Sequence, residues 1–386
     1  MDTIERAAEA LARQLAVTAV ERDRTGGHAA AAREDVRASG LLTLTIPAQY
    51  GGAGASWASF YATLRRVARA DSALAHLYGF HHLQMATLLL YGTQAQQERQ
   101  FGETVTQRLF WGNALNPLDQ RTVATETEGG WLLNGPKSFA SGSVGSDRMV
   151  VSAWHRPTAS LVIALTATRR GGITVRADWD AFGQKQTDSG TVEFERLTIA
   201  PDAVLLAPGA AQTPRMTLRS LVSQLIMANL YLGIAIGAYD EARLYTTEQA
   251  RPWLTAGVAR AADDPVVQHR YGELRLLARA AEAVTDDAAR GLDAAFARGD
   301  ALTAGERGEL AIAIAQAKVL AHRAAMEISS QFFELTGARS TSQKLGLDRF
   351  WRNARVHTLH DPVDYKLRDI GRHALDGRLP EPSAYS

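Results

Sequence analysis

Cysteine is missing altogether from the 386 residues, which removes disulfides, thiolate metal sites and cysteine nucleophiles and fits a reducing cytoplasm. Net charge is nearly missing too. Forty-two basic against 41 acidic side chains leave +1, too weak a field to draw in nucleic acid or an anionic membrane. No GxGxxG turn follows an apolar strand, because the clustered glycines of "LTIPAQYGGAGAS" sit in no strand–turn–helix frame. The N-terminal "MDTIERAAEALARQLAVTAVERDR" mixes charges with helically spaced apolar residues, so it reads as neither signal peptide nor anchor. The most apolar stretch, "LVSQLIMANLYLGIAIGAYDEAR", contains Ser223, Gln224 and Asn229 and runs into Asp240, Glu241 and Arg243. It is expected to be a helix buried all round in a bundle rather than a membrane span. What these absences leave is a small-molecule partner.

What is present divides into three. Residues 1–108 are rich in alanine, leucine and arginine at three- and four-residue spacing, as in "ASWASFYATLRRVARAD", and predict an N-terminal helical domain. Residues 109–213 change to short alternating or β-branched runs broken by glycine, such as "RMVVSAW", "SLVIALTAT" and "GTVEFERLTIA", and predict a middle β domain. Within it "EGGWLLNG" predicts a hairpin, with Gly129 and Gly130 both supplying positive φ. Residues 214–386 return to long amphipathic stretches that predict a C-terminal four-helix bundle. The fold class is therefore α+β, mostly α.

Histidine carries the chemistry worth following. "RNARVHTLHDPVDYK" places His357 and His360 one helical turn apart and Asp361 beside them, before Pro362. On one helix face the imidazoles would lie near the negative end of the dipole, which favours their protonated, hydrogen-bond-donating form. A metal there would need further ligands, and no HExxH or Glu-x-x-His pair supplies them. "HLYGFHHLQM" puts His81 and His82 on successive positions that point in different directions, so both cannot serve one cavity.

Four segments then fall in a familiar order: "IPAQYGG", "GPKSFASG", "FGQKQTDSGTVEFERLTIAPDAVL" and "RNARVHTLHDP". With the helix–sheet–helix layout they resemble the acyl-CoA dehydrogenase superfamily over nearly the whole chain. Within it, "VERDRTGG", "WGNALN", "FASG", "QTDSG", "QARPW" and "FWRNARVHTLHDPVDYKLRDIGRH" look like the flavin-dependent monooxygenases typified by dibenzothiophene monooxygenase. The resemblance implies an acyl-CoA dehydrogenase-like fold in a homotetramer. It implies reduced FMN (FMNH2) delivered by a separate NAD(P)H:flavin reductase, and O2 as co-substrate. A flavin C4a-hydroperoxide would oxygenate an apolar aromatic heterocycle, sulfur oxidation being the leading reaction.

Carried over residue by residue, the resemblance assigns Ser141 to flavin N5. Asn113 goes to the pyrimidine edge, Trp179 to a ring face, Phe139 to the isoalloxazine or the substrate pocket, and His81, His357 and His360 to proton donation. Arg251 and Arg339 would hold the single phosphate, since arginine presents a fork of donors to it. Gln249, Pro252 and Trp253 stand where FAD-binding dehydrogenases carry other residues, which favours FMN over FAD. Asp361 occupies the position of the dehydrogenase base but is shortened to aspartate and followed by proline, which re-aims it. The rival expectations are an FAD-dependent acyl-CoA dehydrogenase with Asp361 as base, an N- or C-hydroxylase of an indole-like substrate, and a flavin-free helical scaffold.

Overall fold

The computed structural model describes residues 3–386. Five helices lead, α1 (Thr3–Thr25), α2 (Ala30–Ala38), α3 (Trp57–Ala70), α4 (Ser72–Tyr91) and α5 (Gln94–Gln107). Their starts are written in the sequence. Ser56 caps α3, Asp71 accepts from two N–H groups of α4, and Thr93 with Gln96 forms a capping box on α5. The glycine-rich "LTIPAQYGGAGAS" forms 3-10 turns between α2 and α3.

A sheet follows, made of β1 (Trp111–Ala114), β2 (Val123–Thr127), β3 (Gly130–Lys137), β4 (Arg148–His155), β5 (Ser160–Ala167), β6 (Ile173–Val175), β7 (Val192–Ile199) and β8 (Val204–Leu206). Its order is β6-β7-β3-β2-β4-β5-β8, with β1 parallel to β4. The expected hairpin joins β2 to β3, but only Gly130 has a positive φ. The turn is there and Gly129 does not need the left-handed region.

The chain closes with α6 (Leu218–Glu248), α7 (Pro265–Arg298), α8 (Ala304–Thr336), α9 (Asp348–Thr358) and α10 (Val363–Asp376). The expected bundle is built of three long helices and two short ones, with a corner between the end of α9 at Thr358 and the start of α10 after Pro362. The apolar window of α6 is long enough for a membrane, yet 89% of it is buried inside the protein, so its lost polar face is that of a core helix.

One hydrophobic core unites α1–α4 with α6–α9, and a second fills one face of the sheet. A third lies between the sheet and the N-terminal helices, where Met85 and Leu88 of α4 meet Trp111, Val150 and Ile163. Helix α4 therefore belongs to both the bundle and the sheet, and its residues from Ser72 to Leu88 are buried between them.

Candidate active site

One stripe of α4 runs along this seam between bundle and sheet. Ser72, His76, Phe80 and Gln84 recur every four residues, so they line one side of the helix. At one end Ser72 accepts from Gln184 Nε2 at 2.9 Å. At the other, Gln84 Nε2 donates to Asn113 Oδ1 on β1 at 3.0 Å. Between them the His76 ring stacks on Phe80 at 4.0 Å and lies 4.9 Å from the His357 ring of α9. The buried polar atoms along this stripe are short of partners: both ring nitrogens of His76, both of His357, and Gln84 Oε1 make no hydrogen bond. Leaving a buried polar group unmade costs about 1–3 kcal/mol, so five such atoms together mark a surface shaped for a ligand.

Burial sets the charge state here. It pushes His76 down to about 3 and His357 well below its usual range, with neighbouring imidazoles adding to the depression. The expected protonation by the α9 dipole does not occur. A helix end is worth ~0.3–2 kcal/mol, whereas full desolvation moves a pKa by up to about 3–5 units, each ~1.4 kcal/mol. The site offers neutral imidazoles, each with one N–H and one lone pair.

His357 and His360 do not share a face. α9 ends at Thr358, so His360 stands in the corner beyond it, its side chain 31% exposed and 3.5 Å from Asp361. The ring packs edge-on against Tyr385 of the C-terminal tail at 5.4 Å. Burial lowers its pKa too, against the pull of Asp361. His360, Asp361 and Pro362 line a cavity of about 580 Å³ with Leu118, Tyr365 and Tyr385, inside the ~300–1,000 Å³ usual for small-molecule sites.

Asp361 forms a buried ion pair with Lys318 of α8, whose ammonium also donates to Gln224 Oε1 at 2.6 Å. Burial alone would raise the Asp361 pKa, but His360 and the Lys318 charge overcome it and hold the carboxyl below its usual range. A carboxylate so stabilised is a poor proton acceptor, so this chain has no free base at the dehydrogenase position. No sequence motif pointed to Lys318, which hides in the apolar repeat of α8.

His81 departs from its expected role. Its Nε2 donates to the Leu42 carbonyl at 2.8 Å and its Nδ1 accepts from the Trp111 N–H at 3.2 Å. Those partners fix a neutral tautomer and leave no nitrogen for a ligand. His82 is spent in the same way, on Leu41 and Thr45. Five residues before His81, His76 is the α4 histidine whose ring nitrogens are left without partners. Its four-residue phase with Ser72, Phe80 and Gln84 was the available signal.

The remaining wall comes from the β domain. The Asn113 N–H donates to the Ser141 carbonyl at 2.9 Å, and Ser141 Oγ lies 2.8 Å from Ser189 Oγ. Phe139 is 60% exposed and meets the Trp179 ring at 6.0 Å in an edge-to-face pair, while Trp179 Nε1 donates to the Gln184 carbonyl. Phe139, Gln184 and Asp188 all have positive φ without being glycine, at ~1–3 kcal/mol each. External bonds hold the last two: Asn353 of α9 binds Gln184, and Arg33 with His28 binds Asp188. Gly183 lets this loop reach α9, since a Cβ there would lie 2.3 Å from the Arg352 carbonyl. Arg251 and Arg339 stand apart, exposed beyond the C-terminal ends of α6 and α8, with no side-chain partner among the described residues.

The chain matches the family models for the acyl-CoA dehydrogenase N-terminal domain over residues 2–107 and C-terminal domain over residues 225–365. It is 48% identical to the probable FMNH2-dependent monooxygenase SfnC of Pseudomonas putida, across 98% of this chain and 96% of that one. It is 45% identical to the dibenzothiophene monooxygenase of Rhodococcus qingshengii, across 97% and 94%. The structure of TdsC from Paenibacillus sp. A11-2 in complex with FMN and indole superposes with a TM-score of 0.96 at 40% identity, covering both chains fully. Identity of this extent is shared ancestry over the entire fold, and the chain belongs to the flavin-dependent monooxygenases of the acyl-CoA dehydrogenase family.

Proposed function

We propose that a cofactor opening lies along the α4 stripe and takes reduced FMN, and that the cavity beside His360 takes an apolar aromatic heterocycle, which is oxygenated at sulfur. The observation that carries this reading is the pair of buried, unpartnered imidazoles, His76 and His357, beside a stripe that Gln84 ties to Asn113. A flat isoalloxazine with one polar edge fits such a surface: the aromatic pair Phe139 and Trp179 covers a face, Asn113 and Ser141 meet the edge, and Gln84 Oε1 accepts from it. Arg251 and Arg339 are unpaired cations suited to a phosphate, and in a homotetramer they would serve it across an interface between copies.

Reduced FMN supplies, when bound, the electrons that activate O2 and the carrier of the oxygen atom passed to substrate. The chain's own work is orientation, exclusion of water and proton placement. Neutral His76 and His357 hold N–H donors toward the oxygen side in a desolvated pocket, where such bonds are strongest. His360, tethered to Asp361 and half-open to the cavity, delivers or takes a proton at the substrate end. Leu118, Tyr365 and Tyr385 give one apolar side for an arene, in a cavity that Lys366, Arg368, Asp369 and Arg372 also line. His81 drops out of this set.

The reading extends to this chain what its relatives' names record: FMNH2 dependence, dibenzothiophene as substrate, and FMN with indole in one complex. The absence of cysteine suits work in the cytoplasm beside a separate reductase that supplies FMNH2. The test is to supply FMNH2, O2 and dibenzothiophene or a smaller sulfur compound under 18O2. Label in a sulfoxide or sulfone is the expected result. Label only in hydroxyindole when both substrates compete would move the reaction to carbon, and reduction of an electron acceptor by an acyl-CoA thioester would return it to dehydrogenation.

A further inference from the structure

Ser141 sits at the end of a row of hydroxyls whose direction is fixed by what stands at the other end. Thr187 Oγ1 is 3.0 Å from the Gln184 carbonyl, Thr187 Oγ1 is 2.8 Å from Ser189 Oγ, and Ser189 Oγ is 2.8 Å from Ser141 Oγ. A carbonyl has no proton to give, so the hydrogen in the first contact is Thr187's. Each hydroxyl owns one proton. Ser189 must then supply the hydrogen of the second contact, and Ser141 that of the third. Running the row the other way would set two lone-pair oxygens face to face at 3.0 Å with no hydrogen between them. The only other acceptor for Ser189, the Thr187 carbonyl at 3.5 Å, is longer and would still leave Ser141 as the donor to Ser189. With its proton spent, Ser141 Oγ presents only lone pairs to the opening.

The row is held against rearrangement. Ala140 N donates to the Gly190 carbonyl at 3.0 Å and Gly142 N to the Thr187 carbonyl at 2.9 Å, so the two segments cannot slide apart. The Gln184 carbonyl also accepts from Trp179 Nε1 at 2.9 Å, which fixes its direction. The left-handed backbone at Gln184 and Asp188 is pinned from outside the loop by Asn353 and Arg33. An over-determined loop of this kind keeps a hydrogen-bond sense, and not only a shape.

We propose that Thr187 and Ser189 are positioning residues that polarise Ser141 into a hydrogen-bond acceptor, and that this polarity makes the protein select reduced over oxidised FMN. Reduced flavin carries a proton on N5 and can donate to Ser141, whereas oxidised flavin presents a lone pair there and meets another lone pair. The inference rests on the reading above that Ser141 meets the N5 edge. It adds a reason for a protein that must take a reduced cofactor from solution and release the oxidised one.

Two dissociation constants test it, for oxidised FMN by fluorescence quenching and for reduced FMN by anaerobic titration, in wild type, Ser189→Ala, Thr187→Val, Thr187→Ser and Ser141→Ala. Their ratio does not depend on the fraction of protein that is folded. Wild type is expected to prefer reduced FMN. Ser189→Ala frees the Ser141 proton for oxidised N5 and should shrink the preference by roughly five- to tenfold, the worth of about one hydrogen bond, while Thr187→Val lets Ser189 donate to Ser141 instead of accepting from it and should shrink the preference by less. Thr187→Ser should restore it. If Ser189→Ala and Thr187→Val leave the ratio unchanged while Ser141→Ala weakens reduced FMN, the polarity is wrong and the site stands. If Ser141→Ala moves neither constant, the flavin is not at Ser141 and the reading beneath the inference fails as well.

Discussion

Two groups of histidine in the same fold are treated in opposite ways. His81 and His82 have all four ring nitrogens bonded, mostly to backbone, and they fasten α4 to the turn at Leu41–Leu42 and to β1. His76, on the same helix, and His357, brought to it by α9, have none of theirs bonded. All four are buried and all four are neutral. Burial and depressed pKa therefore do not separate a histidine that fastens the fold from one whose ring nitrogens are left unbonded. The account of hydrogen-bond partners does.

The largest break in that contrast should come from function. His76→Ala and His357→Ala should each lower oxygenation on the order of a hundredfold or more, with reduced FMN diverted to H2O2. The product-to-peroxide ratio per FMNH2 consumed reads this directly, and a ratio equal to wild type would make the two imidazoles bystanders.

Acid should act on both groups alike. In the unfolded chain each histidine titrates near ~6.5, while in the folded protein burial holds His76 to about 3 and His81 to about 4. Below that unfolded value the unfolded state binds protons the folded state refuses. The stability these groups contribute is thus present above the unfolded pKa and lost as pH falls toward the folded values. The unfolding free energy from urea titrations should drop steeply from neutral pH to the mid-fours, by roughly 1.4 kcal/mol per pH unit for each histidine involved. A flat profile would mean that these rings reach solvent.

The smaller effect separates the groups again. His81→Ala strands the Leu42 carbonyl and the Trp111 N–H, at ~1–3 kcal/mol each, and should lower the melting temperature. His76→Ala removes two already unpartnered atoms and should cost less stability despite costing more activity. Equal thermal shifts would erase the distinction.

Much of the architecture was readable in the residues, because hydrophobic period and capping are local. "ASWASFYATLRRVARAD" and Asp264 before Pro265 mark helices without tertiary help. The all-round apolar character of α6 identified a buried helix for the same reason. Motif order carried the family and its cofactor class. What could not be read was tertiary: which of two α4 faces meets the backbone at Leu42, that Asp361 is matched by Lys318 more than forty positions away, and that desolvation outweighs a helix dipole at His357. Both Lys318 and His76 sit in segments whose period announces core, and only the packed structure reveals what stands opposite them.

We propose that His76 and His357 are held open for the flavin and its oxygen chemistry while His81 and His82 are closed. It is tested most directly by 15N spectra of histidine-labelled protein, assigned by single substitutions, with and without anaerobic reduced FMN. The account predicts that the His76 and His357 ring resonances move on binding while those of His81 and His82 stay in place as fixed neutral tautomers. Movement of His81 with His76 and His357 unperturbed would contradict it.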